Sequence, residues 1–326
     1  MSNNKNVLQT EKKYVKDLFS AESFYNIPDY QRPYVWGKEQ VYELLNDVWK
    51  AMEQNQEKEY FLGCMIWNTK EVVDKKQNLK YQCQDILDGQ QRFITLYLLL
   101  GVLRDLSKNE QLKKQTDAYL RQEHNVFENT PERRRIEFSV RDDNDFFDEY
   151  LFPRGKTAVL SSKDTIFKHK STSFRAMLNA VCSMREWWKE KSKELGDDYQ
   201  EYILLFSVYL FNKVLVLYLA TPDSLDDAYN LFTVLNSRGM QLQASDILKA
   251  QNLRAVDDDA ERKEYAKKWV DYENRIESPY SSLDNFLNTI VVIKNKYQGE
   301  ETKNLNKAFE FIAAKKLLHK GKDTFA

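Results

Sequence analysis

The sequence predicts an α+β fold, in which a small α/β domain at the N-terminus is followed by a mainly helical domain. Charged residues make up 30% of the 326 residues, with only 9 Gly and 6 Pro, a composition typical of helix-rich globular proteins. Two strand-like runs lie close together in the first hundred residues, and most later segments have helical spacing. We expect the first domain to cover 1–105 and the second 106–326.

The first domain is predicted to alternate helices with two strands. Pro28 and Pro33 bracket a segment that cannot be helical, so a stiff loop is expected there. Apolar residues then recur at the helical period before two apolar runs follow. In chain order, the predicted elements are a helix over 7–20, the loop over 27–36, a helix over 38–54, strands over 60–68 and 78–87 with a hairpin tip or short strand between them, and a leucine-rich helix that begins near Gln90.

The second domain is predicted to be mostly helical, with one strand that can return to the first sheet. The run FNKVLVLYLA is β-branched and apolar, which favours a buried strand. A segment rich in Ser, Thr and Lys precedes it and is predicted to be a loop. The predicted elements are a strand and a helix over 133–152, the loop over 155–173, helices over 174–194 and 198–208, the strand over 211–220, and helices in the remainder.

Composition excludes several broad classes of protein. Lys and Arg together number 49 and Asp and Glu 50, so any contact with nucleic acid must come from a local patch. No apolar run approaches the roughly 18 residues of a membrane span, so we expect a cytoplasmic protein that does not enter membranes. The three cysteines have no metal-type spacing and are expected to be buried thiols. The three histidines are isolated, which disfavours metal-histidine and Ser-His chemistry.

The stretch DILDGQQRFITL places a cation where a helix begins. A strand ends at Leu87, an Asp-Gly turn follows, and the helix starts near Gln90, so free backbone N–H groups face outward as they do in anion sites. The helix dipole opposes Arg92 in that first turn. Arg92 therefore suits a site that binds phosphate, or it pairs with Asp88. The alternative is that Asp88 caps the helix and the arginine is incidental.

Two further segments have candidate functional residues. IPDYQRPYVW carries planar polar and aromatic side chains that suit base stacking and phosphate binding, although Tyr34 and Trp36 could equally fasten the loop to the core. FTVLNSRGMQLQASDILKA ends one helix between Asn236 and Gly239 and begins another near Ser245. Taken alone, Arg238 is expected to be solvated.

Together with YFLG at 60–63, these segments resemble the DGQQR domain of modification-dependent (type IV) restriction systems of the GmrSD type. Their order and spacing match along nearly the whole chain. The resemblance implies a ParB/sulfiredoxin-like α/β domain with a site that hydrolyses nucleoside triphosphates, followed by a helical domain. The residue after the arginine of the motif is usually aliphatic in the family and is Phe93 here.

The resemblance also implies a set of site residues. The motif assigns catalytic roles to Asp88, Gln90, Gln91 and Arg92, with Asp88 also holding Mg²⁺ or orienting water. The expected cofactor is a nucleoside triphosphate, GTP among the candidates, together with Mg²⁺. The residues expected to bind the nucleotide or its phosphates are Tyr30, Gln31, Arg32, Gly89 and Arg238.

The resemblance further implies the partners. Family members often carry a C-terminal HNH-type nuclease domain with paired histidines, whereas the end of this sequence holds only His319. We therefore expect a separate HNH-type nuclease subunit, with a fragment or a stand-alone form as alternatives. DNA, modified or plain, is the expected macromolecular partner, and a homo-oligomer is another expected assembly.

Three functions stay open on the sequence. The first is a nucleotide-dependent sensor that couples hydrolysis to DNA recognition or to the nuclease. The second is a non-catalytic DNA-binding module whose arginines contact DNA phosphates; the basic segments ERRRIEF and AAKKLLHKGK are further candidates for that contact. The third is a direct nuclease, which would need carboxylates beyond Asp88, Asp85 and Asp29.

Overall fold

The computed structural model describes two compact units of the chain. The first unit comprises Met1–Ile27, Pro33–Phe138 and Asp142–Phe232, and the second comprises Pro28–Arg32, Ser139–Arg141 and Thr233–Ala326. The residues that the structure describes are 9–20, 23–28, 31–74, 79–127, 130–138, 143–161, 171–221, 245, 248–249, 252–253, 256, 258–276, 283, 285–287 and 289–290.

A mixed sheet forms the centre of the first unit. Its strands are β1 Gln9–Tyr14, β2 Tyr25–Ile27, β3 Tyr60–Asp74, β4 Leu79–Asp88, β7 Ile136–Phe138 and β8 Val214–Thr221, and β5 Arg121–Gln122 pairs separately with β6 Arg133–Arg134. Within the described residues the strands of the sheet lie in the order β1-β8-β3-β4-β2-β7. β2 is parallel to both β4 and β7, and β3 is parallel to β8, while β1 with β8 and β3 with β4 are antiparallel.

Helices of the first unit pack on the face of the sheet that carries Met65 and Trp67. The central one, α3 (Gln90–Leu106), is buried on all sides along most of its length, as expected for a helix that is apolar around its whole circumference. The predicted α+β class is therefore the class observed. The α-helices of the first unit are α1 Val15–Leu18, α2 Lys38–Gln54, α3 Gln90–Leu106, α4 Glu110–Leu120, α5 Asp143–Phe146, α6 Thr172–Leu195 and α7 Tyr199–Lys213, and short π and 3-10 turns cover Phe147–Leu151, Lys156–Val159 and Gly196–Asp198.

The strands show which side of the sheet faces the helices. Met65 and Trp67 of β3 belong to the core that the helices complete, as do Val216 and Tyr218 of β8. Because successive side chains of a strand point to opposite faces, Asn68 lies on the other face of the sheet. One face of β3 therefore contributes to the core, and the other face carries Asn68.

The prediction of a helix over 7–20 was wrong. Gln9–Tyr14 is a strand that pairs with β8 through six successive residues, and helix is found only over Val15–Leu18. The stretch QTEKK has no apolar residue to bury on a helical face, so hydrogen bonds to an apolar neighbouring strand decide its structure.

The first unit continues past residue 105, because later segments complete its sheet and core. β8 lies between β1 and β3, where the sequence predicted a strand that returns to the first sheet. The strand was predicted to begin at residue 211, but it begins at Val214, because helix α7 continues through Lys213. In the second unit the longest described helix is α8, Asp259–Ile276. Among the described residues, no helix is long and apolar enough to cross a membrane.

A buried arginine ties the end of α3 to the segment after the π turn. Arg104 is 1% exposed and forms ion pairs with Asp105 at 2.9 Å and Asp117 at 3.0 Å. Its other N–H groups donate to the carbonyls of Leu151, Phe152 and Pro153. Removing one member of such a buried network leaves charged and polar groups without partners, which lowers the stability of the fold.

We expect Arg104→Met to lower the free energy of unfolding by about 3–5 kcal/mol, because three carbonyls lose their donor and the buried Asp105 loses its ion pair with Arg104. The measurement is urea denaturation followed by circular dichroism. Arg154→Met is the matched control, since Arg154 pairs with the same Asp117 but its side chain is 48% exposed; its loss should cost less than about 1 kcal/mol. Equal losses in the two variants would contradict this role for Arg104.

Candidate functional site

The turn between β4 and α3 is formed at a buried glycine. β4 ends at Asp88, and Gly89 takes the N-cap position with a φ of 83°, in the left-handed region. A Cβ on Gly89 would come within 2.8 Å of the Met65 side chain, so only glycine fits without displacement. Within the described residues no side chain caps α3, so the alternative in which Asp88 caps the helix was wrong.

Arg92 lies directly on the glycine of the YFLG stretch. Its Nη1 donates to the carbonyl oxygen of Leu62 at 2.9 Å, and a Cβ on Gly63 would lie 1.7 Å from that same nitrogen. Gly63 has a φ of 131°, and the register between β3 and β8 shifts at this point. The bulge and the missing side chain together make the space that the guanidinium occupies. Gly63 was not predicted as a site residue, although a glycine within an apolar strand was the available signal.

The charge of Arg92 is not neutralised by the part of the chain that the structure describes. In that part no ion pair joins Arg92 to Asp88 or to another carboxylate, and Arg92 donates a hydrogen bond to the uncharged Leu62 carbonyl. The guanidinium is only partly exposed, and it adds its charge to the positive end of the α3 dipole. Both charges have the sign that favours an anion at the junction.

The two glutamines of the motif are buried, and at least one of them has a positioning role. Gln90 and Gln91 are 4% and 5% exposed. The amide of Gln91 donates to the Pro33 carbonyl at 2.9 Å and accepts from the Val35 N–H at 2.9 Å. Gln91 thus holds the end of the predicted 27–36 loop against α3.

Tyr34 fastens the same segment from its other side. Its hydroxyl lies 2.9 Å from Thr95 Oγ1, and Thr95 in turn donates to the Gln91 carbonyl, so Tyr34 is the donor in this chain of hydrogen bonds. Burial raises the pKa of Tyr34, which keeps the phenol neutral. The fastening role that the sequence left open for Tyr34 is the one observed.

We expect Gln91→Leu to lower the free energy of unfolding by about 1–3 kcal/mol, because the Val35 N–H and the Pro33 carbonyl lose their partner together. Thermal and urea denaturation measure the change. Gln111→Leu, an exposed position on α4, serves as the control and should be near neutral. A Gln91 variant as stable as this control would show that the two hydrogen bonds are not formed in solution.

The remaining predicted site residues fall in the second unit or outside the described residues. Gln31 and Arg32 are part of the second unit, where the buried Lys249 approaches the Gln31 carbonyl at 3.5 Å. Tyr30, Asn236, Arg238 and Gly239 lie outside the described residues, and so does Asp29.

The arginines of ERRRIEF are engaged in contacts within the first unit. Arg134 forms an ion pair with Asp148, and Arg133 stacks on the ring of Tyr81 at 3.6 Å. Arg135 is 3% exposed, and burial lowers its pKa. This segment is therefore not a solvated basic surface of the kind that non-specific DNA binding uses. The second basic segment, AAKKLLHKGK, lies outside the described residues.

Comparison with known protein families matches residues 15–253 to the N-terminal domain of the GmrSD restriction endonuclease. The chain belongs to this family. The matched range contains both Gly63 and the junction that holds Arg92. Membership gives the protein a role in restriction and phage defence, and DNA is the polymer on which the GmrSD family acts. A comparison with curated proteins found no significant match.

Proposed function

We propose that the chain is the nucleotide-dependent subunit of a restriction system and that it hydrolyses a nucleoside triphosphate at the junction of β4 and α3. The observation that carries this proposal is the position of Arg92. A cation at the positive end of a helix, without a carboxylate partner in the described residues, is unfavourable until an anion binds there. A triphosphate supplies several negative oxygens at one point.

The residues at the junction fit the chemistry of a triphosphate. The N–H groups of the first turn of α3 and the remaining guanidinium donors of Arg92 are hydrogen-bond donors for phosphate oxygens. Gly89 lets the backbone approach the phosphates closely. Tyr30, Gln31, Arg32 and Arg238 are further phosphate-binding candidates from the family resemblance.

Asp88 is the candidate ligand for Mg²⁺. Mg²⁺ is commonly held by one or two carboxylates together with the phosphates of the substrate, so a single aspartate is sufficient for the protein side. When bound, the ion would neutralise charge on the phosphate oxygens. Asp88 lies at the end of β4 and is partly exposed, which leaves its carboxylate accessible.

The reaction is attack by water on the terminal phosphorus, with cleavage of the phosphoanhydride bond and release of the diphosphate. Arg92 stabilises the charge that develops on the phosphate oxygens. Gln90 remains the candidate for orienting water, whereas Gln91 acts by holding the 33–35 segment. Hydrolysis would then regulate a separate HNH-type nuclease subunit or the recognition of modified DNA.

The test measures phosphate release from ATP, GTP, CTP and UTP by the purified chain, with Mg²⁺ and with EDTA. We expect turnover of at least one triphosphate that requires Mg²⁺ and falls at least about 100-fold in Asp88→Asn. Asp197→Asn, on an exposed turn, should match the unchanged protein. DNA binding with steep salt dependence and no turnover of any triphosphate would instead identify a non-catalytic DNA-binding module.

A further inference from the structure

The face of the sheet opposite the helical core carries a row of polar residues on three neighbouring strands. Asn26 of β2 and Asn68 of β3 are the register partners of Asp85 on β4, and partners in register share a face. Asp85 accepts from the Asn26 amide at 2.7 Å and pairs with Lys70 at 2.6 Å. Asn26, Asp85 and Lys70 thus form one connected network.

Asn68 is the member of the row whose side-chain oxygen is buried without a partner among the described residues. It is 9% exposed, and its Oδ1 is buried without a hydrogen bond from the described residues. A buried amide in this state costs free energy that a ligand could recover. An asparagine in the middle of a strand, beside the buried Ile66 and Trp67, has no evident packing reason.

We propose that Asn68, supported by the Asp85 network, binds the hydrogen-bonding edge of a nucleobase. An asparagine amide presents an acceptor and a donor side by side, which is the complement of a base edge such as that of adenine. Lys70, whose side chain is 42% exposed, adds a donor at the open side of the row. The acceptor of Asn68 is met only by a ligand that carries an N–H or O–H donor, so an ionised phosphate alone does not satisfy it.

The row lies close to the proposed hydrolytic site. Ile66 is the register partner of Asp88, and Asn68 is two residues farther along β3, which is about 7 Å at the usual rise of a strand. This spacing suits a base that lies beside Asp88, the proposed ligand of Mg²⁺ and thereby of the phosphates. The inference rests on the proposed function when the base belongs to a free nucleotide, and stands apart from it when the base belongs to DNA.

The test uses Asn68→Leu, which keeps the size of the side chain and removes the amide. Binding of ATP, GTP, CTP, UTP and inorganic triphosphate is measured by calorimetry. We expect the affinity for inorganic triphosphate to be unchanged and the preference among bases to fall at least about fivefold. The melting temperature without ligand should be unchanged or raised, because an unsatisfied amide is replaced by an apolar group of similar shape.

A second variant and a second probe keep the result unambiguous. Asn68→Asp should shift the preference toward guanine, whose edge presents two adjacent N–H donors, while Glu71→Gln, exposed on the same strand, should change nothing. In a parallel titration, a single-stranded oligonucleotide, either intact or abasic, replaces the nucleotides. If Asn68→Leu no longer discriminates between the intact and the abasic oligonucleotide, DNA is the source of the base. Unchanged discrimination with both probes, or a clear loss of stability in Asn68→Leu, overturns the inference. Failure of the unchanged protein to bind inorganic triphosphate would contradict the proposed function instead.

Discussion

Arg92→Ala is expected to reduce nucleoside triphosphate turnover by about 100-fold or more while leaving the fold intact. Removing one preorganised donor from a developing anion typically costs that much in rate. The free energy of unfolding should change by less than about 1 kcal/mol. Within the described residues the guanidinium makes one hydrogen bond, to the Leu62 carbonyl, and its charge is opposed by the helix dipole. Phosphate release and urea denaturation measure the two effects on the same preparations.

Two variants serve as controls for this result. Arg175 lies near the N-terminus of α6 but is exposed, so Arg175→Ala should retain full turnover. Arg92→Lys keeps the charge and loses the forked donors, so it should fall between Arg92→Ala and the unchanged protein. Normal turnover in Arg92→Ala would remove Arg92 from the proposed site.

Gly63→Ala is expected to reduce turnover nearly as much as Arg92→Ala, although it adds only one methyl group. That methyl would lie 1.7 Å from Arg92 Nη1, so the guanidinium must leave the Leu62 carbonyl. Turnover is measured in both single variants and in the double variant. Because both changes act on one guanidinium, the double variant should be about as slow as Arg92→Ala alone.

The control for Gly63→Ala has to separate backbone strain from displacement of Arg92. Gly196 also has a positive φ, but a Cβ there would meet no atom within 4 Å. Gly196→Ala should therefore share some loss of stability with Gly63→Ala and keep full turnover. If the losses of turnover in Gly63→Ala and Arg92→Ala multiply in the double variant, the glycine does not act through the arginine.

Much of the fold could be predicted from the sequence because its signals are local. The apolar run at 60–68 lies within β3, the alternating run predicted over 78–87 corresponds to β4, Leu79–Asp88, and the periodic segment at 38–54 is the helix α2. The strand at the N-terminus could not be predicted in this way. Its residues are polar, and their structure depends on pairing with β8, some 200 residues later in the chain.

The candidate site shows the same division between local and distant contacts. Asp88, Gly89 and Arg92 lie within one stretch of five residues, so their strand–turn–helix geometry could be predicted from the spacing alone. The placement of Arg92 on Gly63 could not be, since it depends on a bulge in another strand. The role of Gln91 differs from expectation for a similar reason: its partners, Pro33 and Val35, are distant in sequence.

The central claim is that the N-terminus of α3, with Arg92 held on Gly63, binds phosphate groups. Titration calorimetry of inorganic triphosphate with Mg²⁺ into the purified chain tests this claim without depending on catalysis or on a base. The account predicts saturable binding at one site, weakened at least about tenfold in both Arg92→Ala and Gly63→Ala and unchanged in Arg175→Ala. Equal affinity in all four proteins, or no binding to any of them, would contradict it.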